Sequence, residues 1–280
     1  MKIKIISDST CDLTPALLEQ HNITVVPLTV IKGSGEFKDG VTITPADIFA
    51  HADATGELCS TAAVSFGEFQ EVFSRFHDEY DGIILIDIGS DFSACYQNAC
   101  LAAEDFPKVR VVDSRNLSTG QGMVVLEACR LAETCDDLDE IVEKLNAYTP
   151  KVEISFMLDR LDYMVKGGRC STATALGANL LNIKPCLEVQ DGKLNVVKKY
   201  RGRYDKSLVA YTKDRLDNRE EIDRTTLFLV HSPVKENEMS AVRQAIEQYG
   251  HFDHVYETIV GSTVSCHCGP GTLGLVFARK

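Results

Sequence analysis

Three apolar runs in the first half of the chain end in short polar loops. Residues 3–6 run into Ser7-Asp8-Ser9-Thr10, residues 83–86 into Gly89-Ser90-Asp91-Phe92-Ser93, and residues 109–112 into Asp113-Ser114-Arg115-Asn116. None of these loops carries a lysine. Hydroxyls, and the free backbone N–H groups where a helix begins, are donors suited to gripping an anion. Ser93 stands near the start of a predicted helix, where its hydroxyl and the amide of Ala94 can donate together. Thr61, between Ser60 and Ala62 in the loop ahead of a helix capped by Ser65, is a further donor of the same kind.

Other groups point to other chemistry. Ser7-Asp8-Ser9-Thr10 resembles part of the phosphoaspartate motif of haloacid-type phosphatases, where an aspartate after a strand attacks phosphorus and a second one, two residues on, serves as acid and base. Thr10 stands where that second carboxylate belongs. The alternative reading, a small-molecule phosphatase or phosphotransferase using Asp8, therefore lacks its acid–base partner, and a strand-end loop capping its own amides competes with it. Lys166-Gly167-Gly168-Arg169 follows a predicted apolar helix over 155–165 as a C-cap does. Arg201-Gly202-Arg203 repeats the theme at a strand end. His267-Cys268-Gly269-Pro270-Gly271-Thr272 reads as a rigid loop, with His267 at its edge where it can donate to a carboxylate.

Cys266-His267-Cys268, read as extended, sends neighbouring side chains to opposite faces and lacks a second ligand pair, so no metal site is expected. Neither a phosphate-binding P-loop nor a dinucleotide glycine fingerprint is present, so no cofactor is expected.

The elements that must position these residues follow from caps and periodicity. Thr14-Pro15 and Thr44-Pro45 each pair an N-cap hydroxyl with a proline at the first helical position, predicting helices over 15–21 and 45–54. Residues 23–31 read as a strand, followed by a hairpin excursion through Gly33-Ser34-Gly35 and Phe37-Lys38-Asp39-Gly40. Phe66, Phe69, Val72, Phe73 and Phe76 repeat at helical spacing and mark a core face. Strand 82–87, helix 92–105, strand 108–112 and helix 118–133 continue a β-α alternation, and a helix near 137–147 ends at Thr149-Pro150. Beyond it, Asp191-Gly192 turns a hairpin, and strands near 226–231, 254–259 and 273–278 alternate irregularly with helices. The expected fold class is α/β: an N-terminal domain over 1–150 with a mostly parallel, helix-covered sheet and carboxylate-binding loops, then a C-terminal α+β domain over 151–280. The small-residue apolar segment 173–183 either packs closely on a sheet or leaves room beside it for an alkyl chain.

A formal net charge of −12 and a pI near 5.1 argue against a nucleic-acid surface, which needs clustered Lys and Arg. The opening Met1-Lys2-Ile3-Lys4 lacks a signal-peptide core and no run of apolar residues reaches membrane-spanning length, so a cytoplasmic protein is expected. The ten cysteines lack the paired spacing of a disulfide framework and read as reduced core residues.

Taken together, Ser7-Asp8-Ser9-Thr10-Cys11-Asp12-Leu13, Thr61 through Phe69, Ser93-Ala94-Cys95-Tyr96-Gln97, Val112-Asp113-Ser114, Lys166-Gly167-Gly168-Arg169, Arg201-Gly202-Arg203 and His267-Cys268-Gly269-Pro270-Gly271 resemble the DegV family of bacterial fatty-acid-binding proteins, which includes the lipid-carrying subunit of fatty acid kinase. The match spans nearly the whole chain. The resemblance implies a long-chain fatty acid as bound ligand, its carboxylate held by Thr61 and Ser93 beside the Ala94 amide and its tail in an apolar tunnel. It places His267, Arg169 and Arg201 near the mouth. It implies a non-catalytic carrier with no catalytic residue of its own, presenting the carboxylate to a partner ATP-dependent kinase that makes an acyl phosphate for phospholipid synthesis, and it allows transient contact with a membrane. Two departures stand out. Where the family commonly has Thr-Ser-Gln-Pro-Ser this chain has Thr61-Ala62-Ala63-Val64-Ser65, and where it has Ser-Gly-Thr-Tyr this chain has Ser93-Ala94-Cys95-Tyr96.

Overall fold

The structure, a computed structural model, describes residues 1–175 and 183–280. The first half forms β1 (Ile3–Asp8), α1 (Pro15–Gln20), β2 (Thr24–Val26), β3 (Thr29–Lys32), β4 (Gly35–Lys38), α2 (Pro45–Thr55), β5 (Ser60–Ala62), α3 (Phe66–His77), β6 (Gly82–Asp87), α4 (Cys95–Ala103), β7 (Val109–Asp113), α5 (Ser118–Ala132) and α6 (Leu138–Tyr148). The second half adds β8 (Val152–Met157), α7 (Asp162–Gly167), α8 (Ser171–Thr174), β9 (Ile183–Gln190), β10 (Lys193–Arg201), α9 (Tyr204–Leu216), β11 (Ile222–His231), α10 (Glu236–Tyr249), β12 (His254–Ile259), α11 (Ser262–Cys268) and β13 (Leu273–Arg279).

Local chemistry sets many of these boundaries. Thr14 accepts from the Leu17 amide at 3.3 Å with Pro15 at the first helical position. Ser65 and Glu68 close a reciprocal capping box on α3. Asp191 and Gly192 both take positive φ, 52° and 80°, the pair that a tight hairpin turn between β9 and β10 demands.

The first sheet is all parallel in the order β2-β1-β6-β7. The chain leaves β1 toward β2 on one side and returns to β6 on the other, so the crevice at the carboxyl ends of β1 and β6 is a topological switch point. A small antiparallel sheet, β4-β3-β5, stands beside it, and the second half forms a six-stranded mixed sheet, β10-β9-β8-β13-β11-β12. One hydrophobic core joins the two large sheets, drawing Ile5 and Ile84 from the first and Phe156, Leu187, Phe228 and Val276 from the second. Alternation along β11 sends Phe228 and Val230 into this core and Leu227 and Leu229 into another under α9 and α10. The α5 helix is buried over Ser118–Val125 and is therefore not a one-sided surface helix.

Small residues let α5 approach so closely. A Cβ on Gly122 would stand 2.7 Å from the Cys11 carbonyl oxygen and 2.8 Å from Leu13. Gly122→Ala is accordingly expected to destabilise the protein by about 1–2 kcal/mol, the overpacking cost exceeding the roughly 1 kcal/mol that alanine gains in helix propensity. A urea melt that shows stabilisation would overturn this account of the contact.

Three expectations need correction. Residues 155–165 are not one helix: the apolar stretch belongs to β8, buried on both faces in the middle of the six-stranded sheet, and only α7 is helical. The predicted strand over 23–31 is broken at Pro27 and Leu28 into β2 and β3, which join different sheets. Cys266, His267 and Cys268 lie on α11 rather than in an extended loop, and the rigid turn begins at Gly269, φ 74°. The apolar segment 173–183 falls largely on 176–182, outside the described residues.

Candidate functional site

The switch-point crevice is where the polar loops converge. Asp8, at the end of β1, is fully buried, and its carboxylate receives the Thr10 amide at 2.8 Å, the Thr10 hydroxyl at 2.5 Å, the Ile88 amide at 2.6 Å and the Gln121 side chain at 3.0 Å. Burial pushes its carboxyl pKa up against these hydrogen bonds. Asp8 is thus a structural knot tying β1, β6 and α5, with its oxygens turned to donors inside the protein.

Beside this knot lies a cavity of about 220 Å³. Its walls are apolar, with Leu28, Ile88, Phe92, Phe156, Met164 and Leu194 among them, and its polar groups include Thr61, Ser93, Ala94, Arg169 and His267. Thr61 is carried by β5, which pairs with β3 in the register Val30 to Thr61. Ser93 and Ala94 precede α4, Arg169 follows the Gly168 cap of α7, and His267 is on α11. Five of the six residues expected at the ligand therefore line one cavity. Arg201 does not line it: it sits at the exposed end of β10, beside an Arg203 that pairs with Asp205.

Thr61 Oγ1 and His267 Nε2 are 2.9 Å apart. Burial, with the charge of Arg169 added, pulls the pKa of His267 down to about 4, so the ring is neutral at neutral pH. Its Nδ1 is buried without a partner among the described residues. An unpaired N–H is costlier to bury than an unpaired lone pair, which favours the tautomer with the proton on Nε2, donating to Thr61. The Thr61 hydroxyl is then free to donate into the cavity. The Ser93 hydroxyl is pinned by the Cys95 amide, which donates to it at 3.3 Å, and the Ala94 amide at the α4 N-cap donates to no group among the described residues. Arg169, an exposed residue, donates to the Gly167 carbonyl at 2.7 Å and to the Phe92 carbonyl at 3.4 Å, marking the end of the cavity that opens to solvent.

The placement of α11, and so of His267, comes from far away in sequence. Asp39 accepts from the Ser262 amide at 2.8 Å and the Thr263 amide at 3.2 Å, and Asp12 accepts from the Gly261 amide at 2.7 Å. Burial, with the charges of Asp39 and Asp8 added, raises Asp12 to about 8 despite its bonds from Ser118 and Gly261. Sequence reasoning missed the roles of Asp39 and Asp12, because pairings across more than two hundred residues leave no local signal, and it missed the cavity walls Phe156 and Leu194.

The two shifts act in opposite directions on stability. His267, lowered in the fold, costs stability as pH falls from 6.5 to about 4, because the unfolded chain takes up the proton first. Asp12, raised in the fold, costs stability as pH rises from 3.8 to about 8. Only their difference can be read cleanly. Between pH 6.5 and 4 the wild type is expected to lose about 2–3 kcal/mol more than His267→Gln, which keeps a donor toward Thr61 while Asp12 cancels. Equal slopes in denaturant melts of the two proteins would refute a neutral buried His267.

Among the described residues no group of three His, Cys, Asp or Glu side chains is placed to hold a metal ion, and no helix is long and apolar enough to cross a membrane. The ten cysteines are all free, and nine are buried.

Comparison with known proteins agrees with the fold. Residues 2–280 match the family model described as uncharacterised protein, DegV family. A DegV domain-containing protein from Clostridium acetobutylicum is 35% identical over 100% of this chain and 99% of its own length, and one from Caldanaerobacter subterraneus is 31% identical over the same shares. Among solved structures, a DegV family protein from Thermus thermophilus, described for its fatty acid binding, is 27% identical with a TM-score of 0.90 over 100% of both chains. A stearic-acid-binding protein from Eubacterium ventriosum is 26% identical, with a TM-score of 0.86 over 99% of this chain and 98% of that one. With a family match over nearly its whole length and relatives above 30% identity, this chain belongs to the DegV family.

Proposed function

We propose that this protein binds a long-chain fatty acid in the 220 Å³ cavity, with the carboxylate against Thr61, Ser93 and the Ala94 amide, and presents it to a partner ATP-dependent kinase that forms the acyl phosphate for phospholipid synthesis. The single observation that carries this reading is the asymmetry of the cavity: hydroxyls, an unpaired helix-start amide and a neutral imidazole at the end that opens to solvent, and elsewhere walls that are apolar apart from the buried Thr10 and Thr263. A buried carboxylate must be hydrogen-bonded or paired, and this end supplies that. Arg169 at the opening is a cation for the exposed side of the headgroup, and Arg201, farther off on β10, is assigned to the surface that meets the partner. In this reading the protein is a cytoplasmic carrier without catalysis of its own, and its contact with a membrane is transient. The Asp8 phosphotransferase reading is disfavoured by the four donors that occupy that carboxylate in the interior.

Native mass spectrometry of protein purified without added lipid, followed by solvent extraction, tests the ligand. A stoichiometric fatty acid is the expected result, and an apo mass that persists after incubation with palmitate or stearate would refute it.

A further inference from the structure

The two departures noted in the headgroup loops meet in one cluster of hydrogen bonds. Val64 is fully buried, three residues beyond Thr61, so both of its backbone polar groups need partners. The first turn of α4 supplies both: the Val64 amide donates to Cys95 Sγ at 3.4 Å, and the Asn98 side-chain amide donates to the Val64 carbonyl at 2.7 Å. The same sulfur accepts from the Ser93 hydroxyl at 3.2 Å, while the Cys95 amide returns a bond to Ser93 Oγ. Cys95 is itself wholly buried, so no water competes for these bonds. A proline at position 64 would bring no N–H at all, whereas valine brings a donor, and the sulfur is what takes it up.

We infer that Cys95 is a positioning residue for the headgroup site: its sulfur ties the segment after Thr61 to Ser93, accepting the Ser93 proton in the ligand-free protein and donating the thiol proton to Ser93 Oγ once that hydroxyl turns to the ligand, and so sets the spacing at which the two hydroxyls meet one carboxylate. The inference rests on the fatty acid reading for its ligand. The tie between the loops stands on its own geometry. Thr61 has two other restraints, its strand register with Val30 and the Ser65 cap of α3, but neither reaches Ser93. The Asn98 bond also joins the Val64 carbonyl to α4, but it does not touch Ser93, so Cys95 is the side chain that links the segment after Thr61 to the Ser93 hydroxyl itself.

The test compares Cys95→Ala with Cys95→Ser. The two side chains are nearly the same size and both leave a similar gap, so a packing role treats them alike. An acceptor role separates them, since only serine offers lone pairs to the Val64 amide and the Ser93 hydroxyl, and oxygen is a stronger acceptor than sulfur. Palmitate affinity is expected to fall about tenfold in Cys95→Ala and less than about threefold in Cys95→Ser, the loss of roughly one positioned hydrogen bond. In the ligand-free protein, the Val64 amide is expected to exchange with solvent faster in Cys95→Ala than in Cys95→Ser. Equal affinities and equal exchange in the two variants would overturn the inference. If the wild type binds no fatty acid, the functional reading falls, and the exchange comparison alone decides whether Cys95 joins the loops.

Discussion

Thr61→Val combined with Ser93→Ala is expected to weaken binding of a long-chain fatty acid at least about a hundredfold while leaving the protein folded. The magnitude follows from the charge on the ligand. A hydrogen bond to a charged group contributes about 1.5–3 kcal/mol, and two of them give roughly 3–6 kcal/mol, with each 1.4 kcal/mol worth a factor of ten. The tail contributes separately. At about 0.8 kcal/mol per methylene, a sixteen-carbon chain supplies on the order of 10 kcal/mol before association costs, and none of that passes through the two hydroxyls. The headgroup donors therefore fix which end of the ligand faces the solvent-open mouth as much as they fix affinity. A methyl ester of the same chain, carrying no charge, is expected to bind the wild type and the double variant within about tenfold of each other. Titration calorimetry with the acid and the ester gives both numbers. A loss below about tenfold for the acid would place the carboxylate elsewhere in the cavity.

Single substitutions at these positions are expected to fall between these limits, and unequally. Thr61→Val also removes the partner of His267 Nε2. Its effect therefore includes the cost of a buried ring nitrogen left without a bond, about 1–3 kcal/mol in the ligand-free protein.

The sequence made the frame of this site legible wherever a local rule governs. Threonine followed by proline marks the starts of α1 and α2, Ser65 with Glu68 marks α3, and Asp191-Gly192 marks the β9–β10 turn, because each cap or turn is set by residues within a few positions of it. Strand β6 is legible to its last residue for a related reason: six consecutive buried residues between breakers form a central parallel strand. The same kind of signal misled at 155–165, where an apolar run flows into α7 without a breaker, and a short apolar run does not by itself distinguish a buried strand from a buried helix. At Cys266-His267-Cys268 the reading as an extended segment beside a rigid loop also fails, since these residues lie on α11. The helix there is held from outside, by Asp39 and Asp12 bonding to Gly261, Ser262 and Thr263. Thr61, Ser93, Ala94, His267 and Arg169 could be named from motif order, but the cavity that unites them could not, since its walls come from loops after the parallel strands, from β5 and from the six-stranded sheet. Nor was β5 legible: Ser60-Thr61-Ala62 has no strand-like pattern and pairs with β3 only because the α2 excursion returns the chain to that edge.

Glu153→Ala is expected to destabilise the protein by about 3–5 kcal/mol without touching the ligand site, and the reason is a charge cluster in the other half of the fold. Glu153, on β8, accepts from Arg215 at 2.6 Å and from two nitrogens of Arg219 at 2.6 and 2.9 Å. Arg215 also holds Glu188 on β9 at 3.0 Å, so the C-terminal end of α9 is bolted to two neighbouring strands. The side chains are largely withdrawn from water, 12% exposed for Glu153 and 14% for Arg215. Removing the central carboxylate leaves two guanidinium groups close together in a poorly solvated place, with Glu188 and Glu221 each able to answer only one of them. An exposed ion pair would contribute under about 1 kcal/mol; the burial is what enlarges the effect. Glu153→Gln, which keeps an acceptor oxygen and loses the charge, is expected to fall between the wild type and alanine. Because Glu153 does not line the 220 Å³ cavity, fatty acid affinity measured well below the melting temperature is expected to be the same in all three proteins. A melt of Glu153→Ala within about 1 kcal/mol of the wild type would mean that solvent screens this cluster as it screens surface pairs.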